Sequence, residues 1–317
     1  MHPSPSPADD EETPPFHDTV VQLTENFRLN PDLGEFVSTI YSRRFKPQKV
    51  QARQLAAALS LVASDRNKEF GIEPKILGPV QNFLTALSDV MYRRPQSVLT
   101  GPEVETASTE NKLDSTLNGS SLHRPVSLAL VRLRTWSSTT DHIAYELHVN
   151  REAALAAALV ASLQRCSPDD DIFVATPHRI QREAVKAALS RVKPDDNLLE
   201  HAFGRLQHGP QIEQGKVTVD TIERLQGSEA AFVICLFSLP YTSESTADLG
   251  FLLERRRLNV AISRAKTLCI LISSKAVLCP SMKVLVNEET AKGYAFLKAF
   301  EKRAWSYDIP LNVDHLL

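Results

Sequence analysis

From about residue 125 onward, short β-branched runs alternate with helical stripes, and this alternation leaves the chain very few folds to choose from. Val126 to Trp136 alternates apolar and polar residues as a strand does. Ile172 to Ala175, Val217 to Ile222, Ala231 to Phe237 and Leu268 to Ser273 are further apolar runs of strand length. Asn150 can cap a helix running to about residue 165. Thr176-Pro177 supplies the cap and first turn of another, with Ile180, Ala184, Val185, Ala188, Leu189 and Val192 on one face. Leu258 to Lys266 reads as a third helix. Strands alternating with helices predict an α/β fold, a parallel sheet covered on both faces.

Upstream the pattern is helical. Asn30-Pro31 opens a helix with Leu33, Phe36, Val37, Ile40 and Tyr41 on one stripe. Similar patterns recur at about 48–64, and at 79–92 through Val80, Phe83, Leu84, Leu87 and Met91. Residues 1–18, rich in proline, serine and acid, read as a disordered lead-in, and 101–124 as a mobile insertion. The expected organisation is one lobe over 19–280, interrupted by that insertion, and a helical extension over 281–317.

Composition narrows the partners. A formal charge of −2 excludes a polycation that coats nucleic acid by bulk attraction, so any such contact must come from local clusters. Cys166, Cys235, Cys269 and Cys279 form no C-x-x-C pair and have no histidine at zinc spacing, which points to a reducing compartment and no metal site. The longest apolar run, Ala153 to Leu163, is too short to span a bilayer, and the acidic, proline-rich start is unlike a secretory signal. A soluble intracellular protein without a membrane partner is expected.

Three segments carry candidate chemistry. In Arg255 to Lys266, turned as a helix, Leu258, Ala261, Ile262 and Ala265 gather on one side. Arg256, Arg257, Asn259, Ser263, Arg264 and Lys266 occupy the other. Arg257 and Arg264 then lie two turns apart on one surface, although a merely solvated basic face would show the same charges. In Val219 to Glu229, a strand runs into a glycine turn where Gln226 and Glu229 can point into a crevice at the strand ends, where open α/β sheets place ligands. An ordinary polar loop tip is the alternative. In Leu23 to Pro31, Phe27 beside Arg28 can stack on a base while the guanidinium meets a phosphate, or Phe27 can simply staple the helix start.

Taken in this order, the segments resemble the superfamily 1 helicases, in particular the 5′-to-3′ branch typified by the nonsense-mediated-decay helicase. That family carries N-[YF]-R-x-[NH]-P, T-P-[Y]-x-x-Q, Q-G-x-E and R-R-L-N-V-A-x-[ST]-R-A elements. Here they stand at Asn26 to Pro31, Thr176 to Gln181, Gln226 to Glu229 and Arg256 to Ala265. Asn150 to Ala153 also resembles the start of a family helix. The resemblance covers roughly residues 21–275 and implies a RecA-like, P-loop-NTPase-type lobe.

It also implies roles. Phe27 matches the aromatic that stacks on adenine, and Arg28 and Arg264 match two arginine fingers approaching the γ-phosphate. Glu229 matches a ribose-contacting glutamate, and Gln226, with Gly227, the turn that couples nucleotide to strand. Thr176, Gln181, Thr218, Arg256 and Arg257 fall where the family meets single-stranded DNA or RNA. His178 stands where the family usually has tyrosine and receives no role.

One departure from the family is large. Neither a G-x-x-x-x-G-K-[ST] loop nor an acidic pair at a strand end occurs. In Gly209 to Val217 the glycines are one residue too far apart and valine replaces the hydroxyl, while Asp10-Glu11 sits in the lead-in. The resemblance therefore begins where the family's second lobe begins. ATP would be shared with a first, Walker-containing lobe, and Mg²⁺ would be held through it. Half of a motor, a non-catalytic RecA-like binding module and a decayed domain remain the competing readings.

Overall fold

The computed structural model describes residues 71–91, 126–192, 215–240 and 246–314, with the short stretches 25–26, 31–38, 46–47, 59–60 and 62. The expected lead-in, the insertion and most of the 48–64 helix lie outside these residues. In chain order the elements begin with β1 (Glu25–Asn26), α1 (Pro31–Ser38), β2 (Lys46–Pro47), α2 (Pro74–Val90) and β3 (Leu128–Trp136). Next come α3 (Tyr145–Cys166), β4 (Ile172–Thr176), α4 (Arg179–Leu189), β5 (Val217–Thr221), a 3-10 turn (Ile222–Leu225) and β6 (Ala230–Phe237). The last are α5 (Thr246–Leu252), α6 (Arg255–Ile262), β7 (Ala265–Ser274), α7 (Lys275–Leu278), α8 (Met282–Leu285), α9 (Glu288–Arg303) and β8 (Trp305–Asn312).

Six strands form one sheet in the order β5-β4-β6-β7-β3-β8, and every neighbouring pair is parallel. Side chains alternate across a strand, so each central strand feeds two cores. On β6, Phe232, Ile234 and Leu236 join α2, α3 and α4, whereas Val233, Cys235 and Phe237 join α1, α5, α6 and α9. β4 and β7 divide likewise, with Ile172 and Val174, or Leu268, Ile270 and Ile272, on the first face. The parallel sheet covered on both faces is the one that the alternation of strands and helices predicts, and the domain is α/β, RecA-like and of the P-loop type, as the family resemblance implies.

Several elements differ from the sequence-based expectations. The tail beyond residue 280 is not wholly helical: β8 follows α9 and pairs with β3 from Ala129↔Trp305 to Trp136↔Asn312, so the sheet extends past the expected boundary. Pro310 would disrupt a central strand but is tolerated at this edge. Trp305 and Tyr307 both pack on Phe83 of α2 at 5.7 Å. α3 begins at Tyr145, so Asn150 is inside the helix and does not cap it. On α4 the N-cap is His178, Ile180 is 46% exposed, and Gln181 takes the buried position at 1%. α6 ends at Ile262, so Arg264 lies in the junction before β7 and Lys266 on the strand.

Polar pairs join the layers. Buried Arg151 on α3 donates to Glu73, the residue preceding α2, at 2.5 Å. On the other face Phe36 of α1 packs against Phe296 and Phe300 of α9 at 4.9 and 5.5 Å. Cys235 and Cys269 are buried on adjacent strands with sulfurs 4.0 Å apart, and both remain thiols. Among the described residues, no helix is long and apolar enough to cross a membrane.

Gly293 is where α9 meets the α5–α6 corner: a Cβ there would lie 1.4 Å from the carbonyl oxygen of Leu253. Alanine favours helix by about 1 kcal/mol over glycine, but this contact is with backbone, which yields little. Gly293→Ala is therefore expected to destabilise the chain by about 1–3 kcal/mol, read as a lowered urea midpoint. An unchanged or raised midpoint would show that the corner is not closely packed.

Candidate functional site

The strands are all parallel, so β6 ends and β7 begins at opposite edges of the sheet, and α5 and α6 must carry the chain back between them. The basic segment is thereby divided. Arg255, Arg256 and Arg257 stand at the start of α6, towards the carboxyl ends of the strands, and Arg264 stands at the amino edge, one residue before β7.

At the amino edge, Ala230 and Ala265 are register partners, and the Ala230 N–H donates to the carbonyl of Arg264 at 3.1 Å. The turn that enters β6 contains Gly227 at φ 86°, a conformation that favours glycine. A Cβ at Gly227 would meet nothing within 4 Å, so the demand is torsional and not steric. The Arg264 guanidinium donates to the carbonyls of Val260 (3.1 Å) and Ser228 (3.2 Å) and to the Ser263 hydroxyl (3.1 Å). Glu229 pairs with Lys266 at 2.5 Å, and Gln226 is exposed on the same turn. The structure thus brings Gln226, Gly227, Glu229 and Arg264 together. The strand ends they occupy are amino ends, unlike the carboxyl-end crevice usual in open α/β sheets.

Arg257 lies on α6 and Arg264 two residues beyond its end, and the two guanidinium groups have different partners. Arg257 donates to Glu223 at 2.9 Å and to the Phe251 carbonyl at 3.3 Å, pairs with Glu254, and lies 3.6 Å over the Phe251 ring. The opposite face of that contact network is aromatic: His178 stacks on Phe251 at 4.7 Å. Arg255 and Arg256 are exposed beside it. Phe27 and Arg28 lie outside the described residues; α1, just after them, packs on the same face of the sheet as α6.

The remaining expected residues sit on β4, α4 and β5. Thr176 is fully buried and donates to the Asp220 carbonyl at 3.2 Å, and Gln181 is also buried. Neither side chain meets solvent in this fold. Thr218 is half-buried on the edge strand β5.

Gln181 instead leads into a polar cluster at the carboxyl edge. Its amide donates to Glu152 at 2.7 Å and its oxygen accepts from the His178 N–H at 3.3 Å. The Ser238 hydroxyl donates to the other Glu152 oxygen at 2.6 Å. His148 bridges Ser238 (2.7 Å) and Thr135 (2.9 Å). Burial pushes the Glu152 carboxyl up to about 7, against the hydrogen bonds from Ser238 and Gln181 that favour its charge. Burial also pushes His148 down to about 4, and it raises Tyr145 to about 12, with the Glu152 and Asp248 carboxylates adding to that shift. Glu152 and His148 lie one helical turn apart, a spacing readable in the sequence, but their partners come from β3, β6 and α4 and are joined only by folding. Among the described residues, no group of three or more His, Cys, Asp or Glu side chains could hold a metal ion.

A parallel, doubly covered sheet with a basic helix–strand junction against a glycine turn defines the class: a RecA-like domain. A family model described as an AAA domain matches residues 11–276, most of the chain, and the protein belongs to that family as a superfamily 1 helicase-like chain. It is similar to MOV-10 of Gallus gallus, a protein named as a helicase, with 34% identity over 113 residues. That match covers 34% of this chain and 10% of the relative. It is also similar to ECM32 of Saccharomyces cerevisiae, named as an ATP-dependent RNA helicase, with 28% identity over 137 residues, covering 38% of this chain and 12% of the relative. The matched segments thus span about a tenth of each relative's length.

Glu152 and His148 give the fold opposing pH dependences. The raised Glu152 pKa supplies stability that is full below about 4.5 and is lost as pH rises to about 7. The lowered His148 pKa supplies stability that is full above 6.5 and is lost as pH falls to about 4. Glu152→Gln removes the first contribution only, so urea unfolding from pH 6.5 to 4 should show the variant losing up to roughly 3 kcal/mol relative to wild type. Parallel stability curves would contradict this assignment.

Proposed function

We propose that this chain is the second motor lobe of an ATP-dependent DNA or RNA helicase or translocase. The observation that carries the reading is the fixed placement of Arg264 against Ser228 and Val260, beside the Gln226–Glu229 turn at one edge of the sheet. A guanidinium braced by two carbonyls loses little freedom when it meets an anion, which suits an arginine finger. Arg28, just before α1 in sequence, is the second such group in this reading, and Phe27 the adenine platform.

The donor set fits one side of a bound nucleotide. Arg264 would meet phosphate, Gln226 and the Gly227 backbone would line the rim, and Glu229, once released from Lys266, would accept from a ribose hydroxyl. When bound, ATP and its Mg²⁺ supply the hydrolysable phosphoanhydride, with the metal held by a Walker-containing first lobe. The exposed Arg256 and the edge-strand Thr218 are the nucleic-acid contacts towards a single strand. Arg257, Thr176 and Gln181 hold the surrounding turns in place through their buried or paired contacts. A second reading, a non-catalytic RecA-like module that binds nucleic acid or protein, is supported by the exposed Arg255 and Arg256 at the start of α6. Either reading places the protein inside the cell.

Purified alone, the chain is expected to hydrolyse ATP no faster than buffer, and hydrolysis that depends on Arg264 would contradict the proposal. Fluorescence anisotropy with a labelled single-stranded oligonucleotide should show affinity falling steeply with salt. Arg256→Ala should weaken it several-fold and flatten the salt slope by about one. No binding at low salt would count against the motor-lobe reading and against a nucleic-acid-binding module.

A further inference from the structure

The polar cluster at the carboxyl edge has a direction, and Glu152 sets it. An ionised carboxylate only accepts, so the Ser238 hydroxyl donates to it, as observed at 2.6 Å. The Ser238 oxygen must then accept from His148, which places the imidazole proton on Nε2 and leaves Nδ1 to accept from the Thr135 hydroxyl. On the other side, the His178 N–H is a donor that cannot reverse. It fixes the Gln181 amide with its oxygen towards His178 and its NH₂ towards Glu152. Every donor in the chain thus converges on one buried carboxylate that joins β3, β6, α3 and the first turn of α4.

We propose that Glu152 is a positioning residue for the Thr176–Gln181 turn, and that its protonation reverses the Thr135–His148–Ser238 hydrogen bonds, flips the His148 tautomer and loosens the anchor on Gln181. The inference rests on the reading that this turn serves the nucleic-acid side of the lobe. The reversal is balanced in protons. The half-buried Thr135 passes its proton to His148 Nδ1 and takes one from solvent, His148 Nε2 releases its proton to Ser238, and Ser238 delivers its own to Glu152. The imidazole is neutral before and after. Gln181 then donates to a neutral carboxyl, where it had donated to a charged and stronger acceptor.

The surroundings favour such a change near neutral pH. Tyr145 on α3 interacts electrostatically with both Glu152 and Asp248, His148 reaches Glu152 through Ser238, and His178, on the far side of Gln181, interacts with Asp248, Arg257 and Glu223. The residue before Glu152, Arg151, is paired with Glu73. With Glu152 raised to about 7, both directions of the chain are accessible.

The test is nitrogen NMR of the His148 ring in the full chain. Wild type should show the Nε2–H tautomer at pH 8 and the Nδ1–H tautomer at pH 5.5, with the ring neutral at both. Glu152→Gln can donate to Ser238 and accept from Gln181, so it should hold the Nδ1–H tautomer at both pH values. In the same variant the His178 amide should exchange about tenfold faster than wild type at pH 8, a difference that closes below pH 6. Ser238→Ala, which cuts the chain, should leave the His148 tautomer independent of pH. A wild-type tautomer that ignores pH, a Glu152→Gln tautomer matching wild type at pH 8, or equal His178 exchange at pH 8 would each overturn the proposal. Oligonucleotide binding measured on the same samples separates the two ideas: a tautomer flip without binding refutes the nucleic-acid reading and leaves the relay standing.

Discussion

Everything in this lobe depends on the pairing of β6 with β7, two strands buried on both faces that hold one register from Phe232↔Leu268 to Phe237↔Ser273, after a one-residue shift from the Ala230↔Ala265 pair at the amino edge. Such strands can donate and accept only along the ladder, because neither face offers water. Their register therefore fixes what stands at each end. At the amino edge it sets the Gly227 turn beside Arg264, and at the carboxyl edge it carries Ser238 to Glu152. A slip of one residue would exchange the two cores and separate both clusters.

The two edges do different physical work. Arg264 and the Gln226–Glu229 turn are charged, partly exposed and braced by carbonyls, as a surface meeting an anion requires. The Glu152 cluster is dry and almost fully paired, the kind of polar network that fixes one packing arrangement among many. α6 spans the distance between them. Its first turn is tied to Glu223 and Phe251 through Arg257, and its last residues lead into Arg264. Contacts from α6 and its flanking residues thus reach both the glycine turn, through Arg264, and the start of α4, through the Phe251 ring that stacks on His178.

Much of the fold was legible because apolar periodicity and burial agree: Phe232, Ile234 and Leu236 share one face of β6 and pack into one core. The glycine turn and the apolar side of α6 were legible for the same reason. The errors arose where tertiary demands overrode local pattern. Ala265 is a good helix residue captured by strand pairing, so the predicted helix through Lys266 stops early, at Ile262. Ile180 fits the apolar stripe of α4, yet the need of buried Glu152 for a donor turns Gln181 inward and leaves Ile180 exposed. β8 was hidden by Pro310, which is tolerable only at an edge that sequence alone does not reveal. Glu152 gave one local sign, its spacing from His148, and its other partners are distant in sequence. Phe27 and Arg28 rest on the motif resemblance.

In the proposed motor lobe Arg28 and Arg264 serve one triphosphate, and their separation tests this most directly. Spin labels at positions 28 and 264, in a chain with Cys166 and Cys279 replaced by serine, can be measured by pulsed dipolar spectroscopy. The account predicts a distribution centred well below the radius of gyration of roughly 19 Å expected for a domain of this size. A distribution centred near twice that value would put the two arginines on opposite sides of the lobe and contradict it.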